Sequence, residues 1–255
     1  MSEKGIDLSQ HNGTVNFDKV KADGYSFVIL RIGYRGYGYG DIRKDTKFNE
    51  YYTLARRAGL KIGVYFFTQA INEKEAIEEA EWTIKQLGTL RLDYPVYIDQ
   101  EWSTSPSRTG RADKNTVRAN TDVCKGFCKR VEELGWYAGI YMSLSWLQTK
   151  VYYKELIQYD KWIAKWSLVK PTTAYGVYGM WQNSNNGSTS GASGRVDVNK
   201  AYYNYPQIMK DKGLNNYSRE VKYNIDIKNI SQGDMFKVKE LCDSLSLKEV
   251  TITEV

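Results

Sequence analysis

Histidine is almost missing from this 255-residue chain: His11 is the only one. A Ser-His-Asp triad or a multi-histidine metal centre has almost nothing to draw on, and no metal or other cofactor is expected. Cysteine is scarce too. Cys124, Cys128 and Cys242 are odd in number and form no Cys-x-x-Cys pair of zinc or redox type. Cys124 and Cys128 lie four apart in a segment of helical spacing, so they are expected as buried or half-buried thiols in a chain suited to a reducing compartment. No run of about 18 apolar residues is present, which argues against membrane insertion as a helix. Met1-Ser2-Glu3-Lys4 runs straight into Gly5-Ile6-Asp7-Leu8 with no basic stretch, apolar stretch or small-residue cleavage site, so no signal peptide is expected.

Aromatic side chains, by contrast, are plentiful: 21 tyrosines and 7 tryptophans. Such rings fill cores, and at a cleft they stack on sugar faces while leaving a polar tip for hydrogen bonds. The net charge of +6 favours an anionic partner such as nucleic acid, an anionic membrane or cell-wall polymer. The chain carries no nucleic-acid recognition motif, so that partner is not expected.

Short apolar runs bounded by Gly, Pro or polar residues alternate with helical patterns. Strands are expected at 4–8, 26–32, 61–67, 94–101, 137–142, 161–166, 179–182 and 195–198, and the runs have the character of buried parallel strands. Helices are expected at 45–58, 72–87 and 113–134. Asn72 followed by Glu75 has the form of an N-cap with its acid, and Gly88 and Gly135 stand where helices stop. Eight strands with interspersed helices predict an α/β fold, an irregular TIM-like (β/α) barrel with some crossovers lacking a full helix.

Asp99 and Glu101 end the apolar run Tyr94-Pro95-Val96-Tyr97-Ile98-Asp99-Gln100-Glu101. Residues two apart on a strand project the same way, so the two acids are expected side by side. Two carboxylates that close do not both ionise easily. One keeps its proton near neutrality and the other stays anionic, the division of labour that glycosidic cleavage requires. Chemistry in such barrels sits at the C-terminal strand ends. Asp7 ends the first strand, Asp197 lies in the last, and Tyr65, Phe67, Tyr141, Trp166 and Gln182 fall on the same rim, where they would line a polysaccharide groove. The glycine- and tyrosine-rich segment 33–41 lacks the strand-to-helix context of a nucleotide loop and reads as a flexible rim loop. Residues 184–194 read as a second loop at the barrel mouth.

Gly5-Ile6-Asp7-Leu8-Ser9-Gln10-His11-Asn12-Gly13 resembles the opening motif of the family 25 glycoside hydrolases, muramidases that include many phage endolysins. Gly63-Val64-Tyr65-Phe66-Phe67 is similar to the family's third strand, Tyr97 to Glu101 to its Asp-x-Glu strand, and Trp181-Gln182 with Val196-Asp197-Val198-Asn199 to its closing motifs. One departure is Tyr65-Phe66-Phe67, where many relatives carry His-Phe after the Tyr. The resemblance implies a lysozyme cleaving the β-1,4 bond after N-acetylmuramic acid in peptidoglycan. It makes Glu101 the general acid and Asp99 the electrostatic or acetamido-orienting partner, with Asp7 and Asp197 completing an acidic floor. It leaves open whether the 2-acetamido group attacks through an oxazolinium ion or water attacks directly. A non-catalytic glycan-binding barrel is the alternative. Together with the missing signal peptide, the resemblance implies an endolysin of Gram-positive hosts, held in the host cytoplasm until a separate protein permeabilises the membrane.

The barrel is expected to span residues 1–210 and a polar linker 211–218. Residues 219–255 read as a small β-α-β module, with strands at 222–227 and 249–253 around a helix at 231–244. That tail holds six basic and seven acidic residues, which leaves +7 on the barrel. Fewer than 40 residues without a disulfide bury too little core to stand alone. The tail is expected to dock on the barrel, to form a homo-oligomer with a second copy or to help hold the wall.

Overall fold

The computed structural model describes residues 2–103, 107–172, 176–218 and 231–244, in two units that divide after Glu220. The first unit holds nine strands among the described residues: β1 (Glu3–Leu8), β2 (Phe27–Arg35), β3 (Ile42–Lys44), β4 (Lys61–Phe67), β5 (Val96–Asp99), β6 (Ala138–Ser143), β7 (Asp160–Ala164), β8 (Met180–Gly187) and β9 (Val196–Ala201). All but β3 close a barrel in the order β1-β2-β4-β5-β6-β7-β8-β9, with β9 pairing back to β1. The eight expected strands are all present. Pairing is parallel from β1 round to β8, whereas β9 runs antiparallel to both β8 and β1. The expectation of parallel strands throughout is corrected there, because the eight residues between β8 and β9 are too few for a crossover.

Helices α1 (Phe17–Ala22), α2 (Phe48–Arg57), α3 (Glu73–Leu87), α4 (Val117–Glu133), α5 (Leu144–Thr149) and α6 (Tyr205–Lys212) accompany these strands. The cap reading holds: Asn72 Oδ1 accepts from Glu75 N at 3.0 Å, and Glu75 Oε2 in turn accepts from Ile71 N at 3.1 Å. Gly88 and Gly135 take φ of +51° and +83°, which a residue with a Cβ rarely adopts. Cys124 and Cys128 are buried on α4, where burial pushes both thiols up from their ordinary range.

Strand alternation separates two cores. Residues such as Ile6, Val28, Leu30, Val64, Ile98 and Ile140 face outward and meet the helices. Their neighbours Phe27, Ile29, Tyr97, Tyr141, Trp162 and Met180 fill the barrel interior. That interior is crowded with rings, so bare backbone must face them: a Cβ on Gly139 would overlap the Tyr97 ring, and one on Gly5 the Phe27 ring.

Three loop expectations are refined or changed. Of segment 33–41, residues 33–35 belong to β2 and 36–41 are a loop as expected, joining β2 to β3 in a hairpin and held by buried Arg35, which reaches Glu79 Oε1 at 2.7 Å and Gly40 O at 2.8 Å. Residues 188–192 dock against α1 and are not a free mouth loop: Thr189 Oγ1 donates to Asp23 Oδ2 at 2.7 Å and Asn16 N to Gly191 O at 2.7 Å. Residues 211–218, expected as a linker, pack on the barrel. Asn215 is fully buried there, its Nδ2 donating to Tyr94 O at 2.9 Å and its Oδ1 accepting from Tyr137 N at 2.8 Å. A polar asparagine serves because the strand starts leave backbone groups that need partners.

In the second unit, α7 (Gln232–Ser244) matches the expected helix, and Ser231 Oγ accepts from Asp234 N at 3.2 Å as its cap. The tail strands expected at 222–227 and 249–253 lie outside the described residues. Among the described residues, no helix is long and apolar enough to cross a membrane.

Candidate active site

The barrel interior changes from rings to polar groups toward the C-terminal strand ends. Asp7, next to last on β1, stands directly opposite Asp197 of β9. Its Oδ2 accepts from Gln182 Nε2 at 3.0 Å and from Asn199 Nδ2 at 2.8 Å. Asn199 is itself oriented, because its Oδ1 accepts from Trp162 Nε1 at 2.8 Å. Gln182 Oε1 accepts from Tyr141 Oη at 3.0 Å and Trp166 Nε1 at 3.1 Å. Both faces of that amide are used, so its orientation is fixed by three partners.

Asp99 is the last residue of β5, in register with Phe67 of β4 and Tyr141 of β6. Glu101 lies two residues beyond it, past the end of the strand. This corrects the expectation that a strand carries both acids. Gln100 N still donates to Tyr141 O at 3.0 Å, and beyond Glu101 the chain is held by Asp113, which accepts from Ser103 N at 2.8 Å and Ser103 Oγ at 2.5 Å. The two carboxylates remain electrostatic neighbours even so.

Burial drives the acidity of this cluster. It raises Asp7, with the charge of Asp197 adding to it, and it raises Asp99, with Glu101 and Asp7 adding and Arg31 opposing. Asp197 is raised less, and the hydrogen bond with Asp7 pulls it back. Glu101 is pushed up to about 7 by burial and by the charge of Asp197. The cluster therefore carries protons near neutrality, and Glu101 can release one in the working range.

All nine residues singled out from the sequence fall in the upper barrel or at its edge. Phe67 is buried with its ring edge-on to Tyr37, Tyr65 is half-buried and edge-on to Trp162, and Tyr141 is buried. Trp166 is the outermost, 59% exposed, and its Nε1 donates to Gln182. Sequence reasoning missed Asn199, Trp162, Arg31 and Asp45. Inward alternation from Asp197 could have indicated Asn199. Arg31, between apolar Leu30 and Ile32, had the same signal on β2. Among the described residues, no group of three or more His, Cys, Asp or Glu is placed to hold a metal ion.

A model of the family described as glycosyl hydrolases family 25 matches residues 6–192. Lysozyme M1 of Streptomyces globisporus is 28% identical over 204 residues, 77% of this chain and 67% of that one. The autolytic lysozyme of Clostridium acetobutylicum is 29% identical over 197 residues, 77% of this chain and 55% of its own. The solved structure of the modular autolysin LytC from Streptococcus pneumoniae, in complex with a synthetic peptidoglycan ligand, superposes with a TM-score of 0.70 at 25% identity, covering 79% of this chain. The chain spans 47% of the length of that autolysin.

Proposed function

The chain belongs to the glycosyl hydrolases of family 25, and from that premise we propose that it is a lysozyme, an N-acetylmuramidase that cuts the β-1,4 bond between N-acetylmuramic acid and N-acetylglucosamine in peptidoglycan. The single observation that carries the mechanism is Glu101, half-buried at the mouth beside the acids of β1, β5 and β9 and pushed up to about 7. A carboxylic acid of that strength is protonated in about half of the molecules at neutral pH and in most of them below it. In that form it gives the proton to the glycosidic oxygen as the bond from that oxygen to the anomeric carbon breaks. Asp99 faces the positive charge that develops at the sugar, or orients the 2-acetamido group that attacks in place of water. Asp7 and Asp197 set the potential of the floor, and Tyr65, Phe67, Tyr141, Trp166 and Gln182 form the walls.

The names of the relatives support this reading, since two are lysozymes and the pneumococcal autolysin was solved with a peptidoglycan ligand. The deciding experiment is loss of turbidity of purified Gram-positive cell walls with the wild type and Glu101→Gln. New reducing ends without new amino groups identify a glycosidase, and Glu101→Gln clears no walls. Undiminished clearing by that variant would instead indicate that the carboxyl is dispensable and the acid assignment wrong.

The setting in which the enzyme works is part of the same proposal. An endolysin that waits in the host cytoplasm and acts on the wall once the membrane is breached fits a wall-degrading enzyme whose barrel carries most of the positive charge. Residues 219–255 serve as an oligomerisation or wall-holding module. Helix α7 carries Phe236 exposed on its surface, an apolar side chain suited to that role. Light scattering of the full chain and of residues 1–218 tests the first role: a monomer in both excludes it.

A further inference from the structure

Arg31 follows Ile29 by two residues on β2, and Ile29 belongs to the barrel interior, so alternation turns Arg31 inward as well. It stands in register with Tyr65 of β4, and its side chain is 11% exposed. Arg31 Nε donates to Asp45 Oδ2 at 2.8 Å. Asp45 is held in turn: its Oδ2 accepts from Gln10 N at 3.0 Å and its Oδ1 from Lys47 N at 2.9 Å. The guanidinium is thus bolted to the segments that follow β1 and β3, and Tyr34 lies beneath it at 5.1 Å.

This anchoring uses one edge of the planar group. Nη2, on the same side chain, is buried and finds no hydrogen-bond partner among the described residues. An unpaired buried guanidinium N–H is costly, and such groups at a cleft are commonly completed by ligand. A second unpaired atom lies in the same mouth: Oδ1 of Asp99 is also buried without a hydrogen-bond partner among the described residues. The two are electrostatically coupled, because Arg31 opposes the rise that burial, Glu101, Asp7 and Asp197 impose on Asp99. A pyranose carries hydroxyl and amide groups able to accept from one and donate to the other.

We propose that Arg31 is a substrate-contacting residue of this mouth: pinned through Nε by Asp45, it presents Nη2 to an oxygen of the saccharide held over Asp99. The proposal rests on the glycosidase reading. The planar fork matters, because lysine has the charge but not the fixed geometry. The groups that act on Asp99 are Asp7 on β1, Arg31 on β2, Glu101 after β5 and Asp197 on β9, with Tyr65 on β4 and Tyr141 on β6 beside it. Arg31 is the cation among them, so its removal acts on the ionisation of Asp99 as well as on the contact.

The test uses a soluble tetrasaccharide of alternating N-acetylglucosamine and N-acetylmuramic acid with the full chain and its Arg31→Lys and Arg31→Met variants. Arg31→Lys is expected to raise KM about tenfold, with kcat little changed and the acid limb of the pH profile unmoved. Arg31→Met is expected to lose about 100-fold in kcat/KM and to shift the acid limb upward by about one unit. Wild-type KM and an unmoved acid limb in both variants would overturn the proposal, leaving Arg31 a structural partner of Asp45. If Arg31→Met does not fold, KM of Arg31→Lys decides. If the wild type releases no reducing ends, the glycosidase reading fails by itself. Equilibrium binding of the tetrasaccharide then decides on the contact: about tenfold weaker binding to Arg31→Lys supports it, and equal binding overturns it.

Discussion

Asp7 and Asp197 face each other across the antiparallel pair of β1 and β9, and the amides of Gln182 and Asn199 clamp Asp7 alone of the two. Opposed like charges are unfavourable: burial and the charge of Asp197 raise Asp7, and burial raises Asp197, with hydrogen bonding to Asp7 pulling it partly back. Asp197 is also the charge that, after burial, holds Glu101 up. Asp197→Asn is therefore expected to move the alkaline limb of the pH–rate profile down by about one unit, measured on soluble glycan. A limb that stays in place would remove Asp197 from the electrostatics of the acid.

Glu101→Gln keeps the shape of the side chain and removes its proton. Lysis is expected to fall by at least about 10³-fold while circular dichroism and melting stay as in the wild type. In the wild type the acid form of Glu101 predominates below about 7 and is lost above it. Activity should decline as pH rises through that value, in a titration of initial rates at constant ionic strength.

Asp160 lies at the other end of the barrel, where its Oδ2 accepts from Tyr97 Oη at 2.9 Å and Tyr205 Oη at 2.5 Å. Burial pushes its carboxyl up to about 6 in spite of those donors. A folded value above the unfolded one means that the contribution to stability is full below about 4 and is lost as pH rises through about 6. The difference amounts to about 3 kcal/mol at pH 8. Asp160→Asn, whose carbonyl still accepts from both tyrosines, should flatten the dependence of urea midpoints on pH between about 4 and 7. An unchanged slope would contradict the assignment.

Gly139 admits the ring of Tyr97 into the barrel. Gly139→Ala forces that ring aside and is expected to cost about 1–3 kcal/mol in chemical denaturation. Gly13→Ala has open space around its Cβ but sits at φ +66°. Its cost should come from the backbone alone, about 1 kcal/mol.

The positive charge of the barrel predicts a screening effect. Clearing of intact walls should fall as salt rises from about 50 to 300 mM, while cleavage of a neutral soluble glycan stays constant. Equal responses would assign the salt effect to the active site and not to adsorption.

Apolar runs bounded by glycine and proline revealed every barrel strand, because a buried strand has no polar face to disguise it. The acids stood out for the opposite reason, as charged residues closing apolar runs. What escaped notice was short or borrowed. Strand β3 has three residues and depends on β2 for its existence. Glu101 lies past the end of β5, and the chain after it is held by Asp113, ten positions past Ser103. Asn199 and Arg31 gain their roles from partners 192 and 14 residues away, at Asp7 and Asp45. Local spacing carries no trace of such pairings.

The placement of Asn215 has a consequence for where this enzyme can be cut. Its backbone carbonyl accepts from Leu92 N at 3.2 Å and its own N donates to Gly135 O at 3.3 Å, in addition to the side-chain bonds to Tyr94 and Tyr137. Four stations at the entrances of β5 and β6 are thus tied off by one residue. A chain ending at residue 210 would leave those groups open to water beneath the aromatic interior, whereas one ending at 218 retains the bolt. The floor of the barrel, at the opposite end from its acids, is thus closed by a residue that follows the last barrel helix.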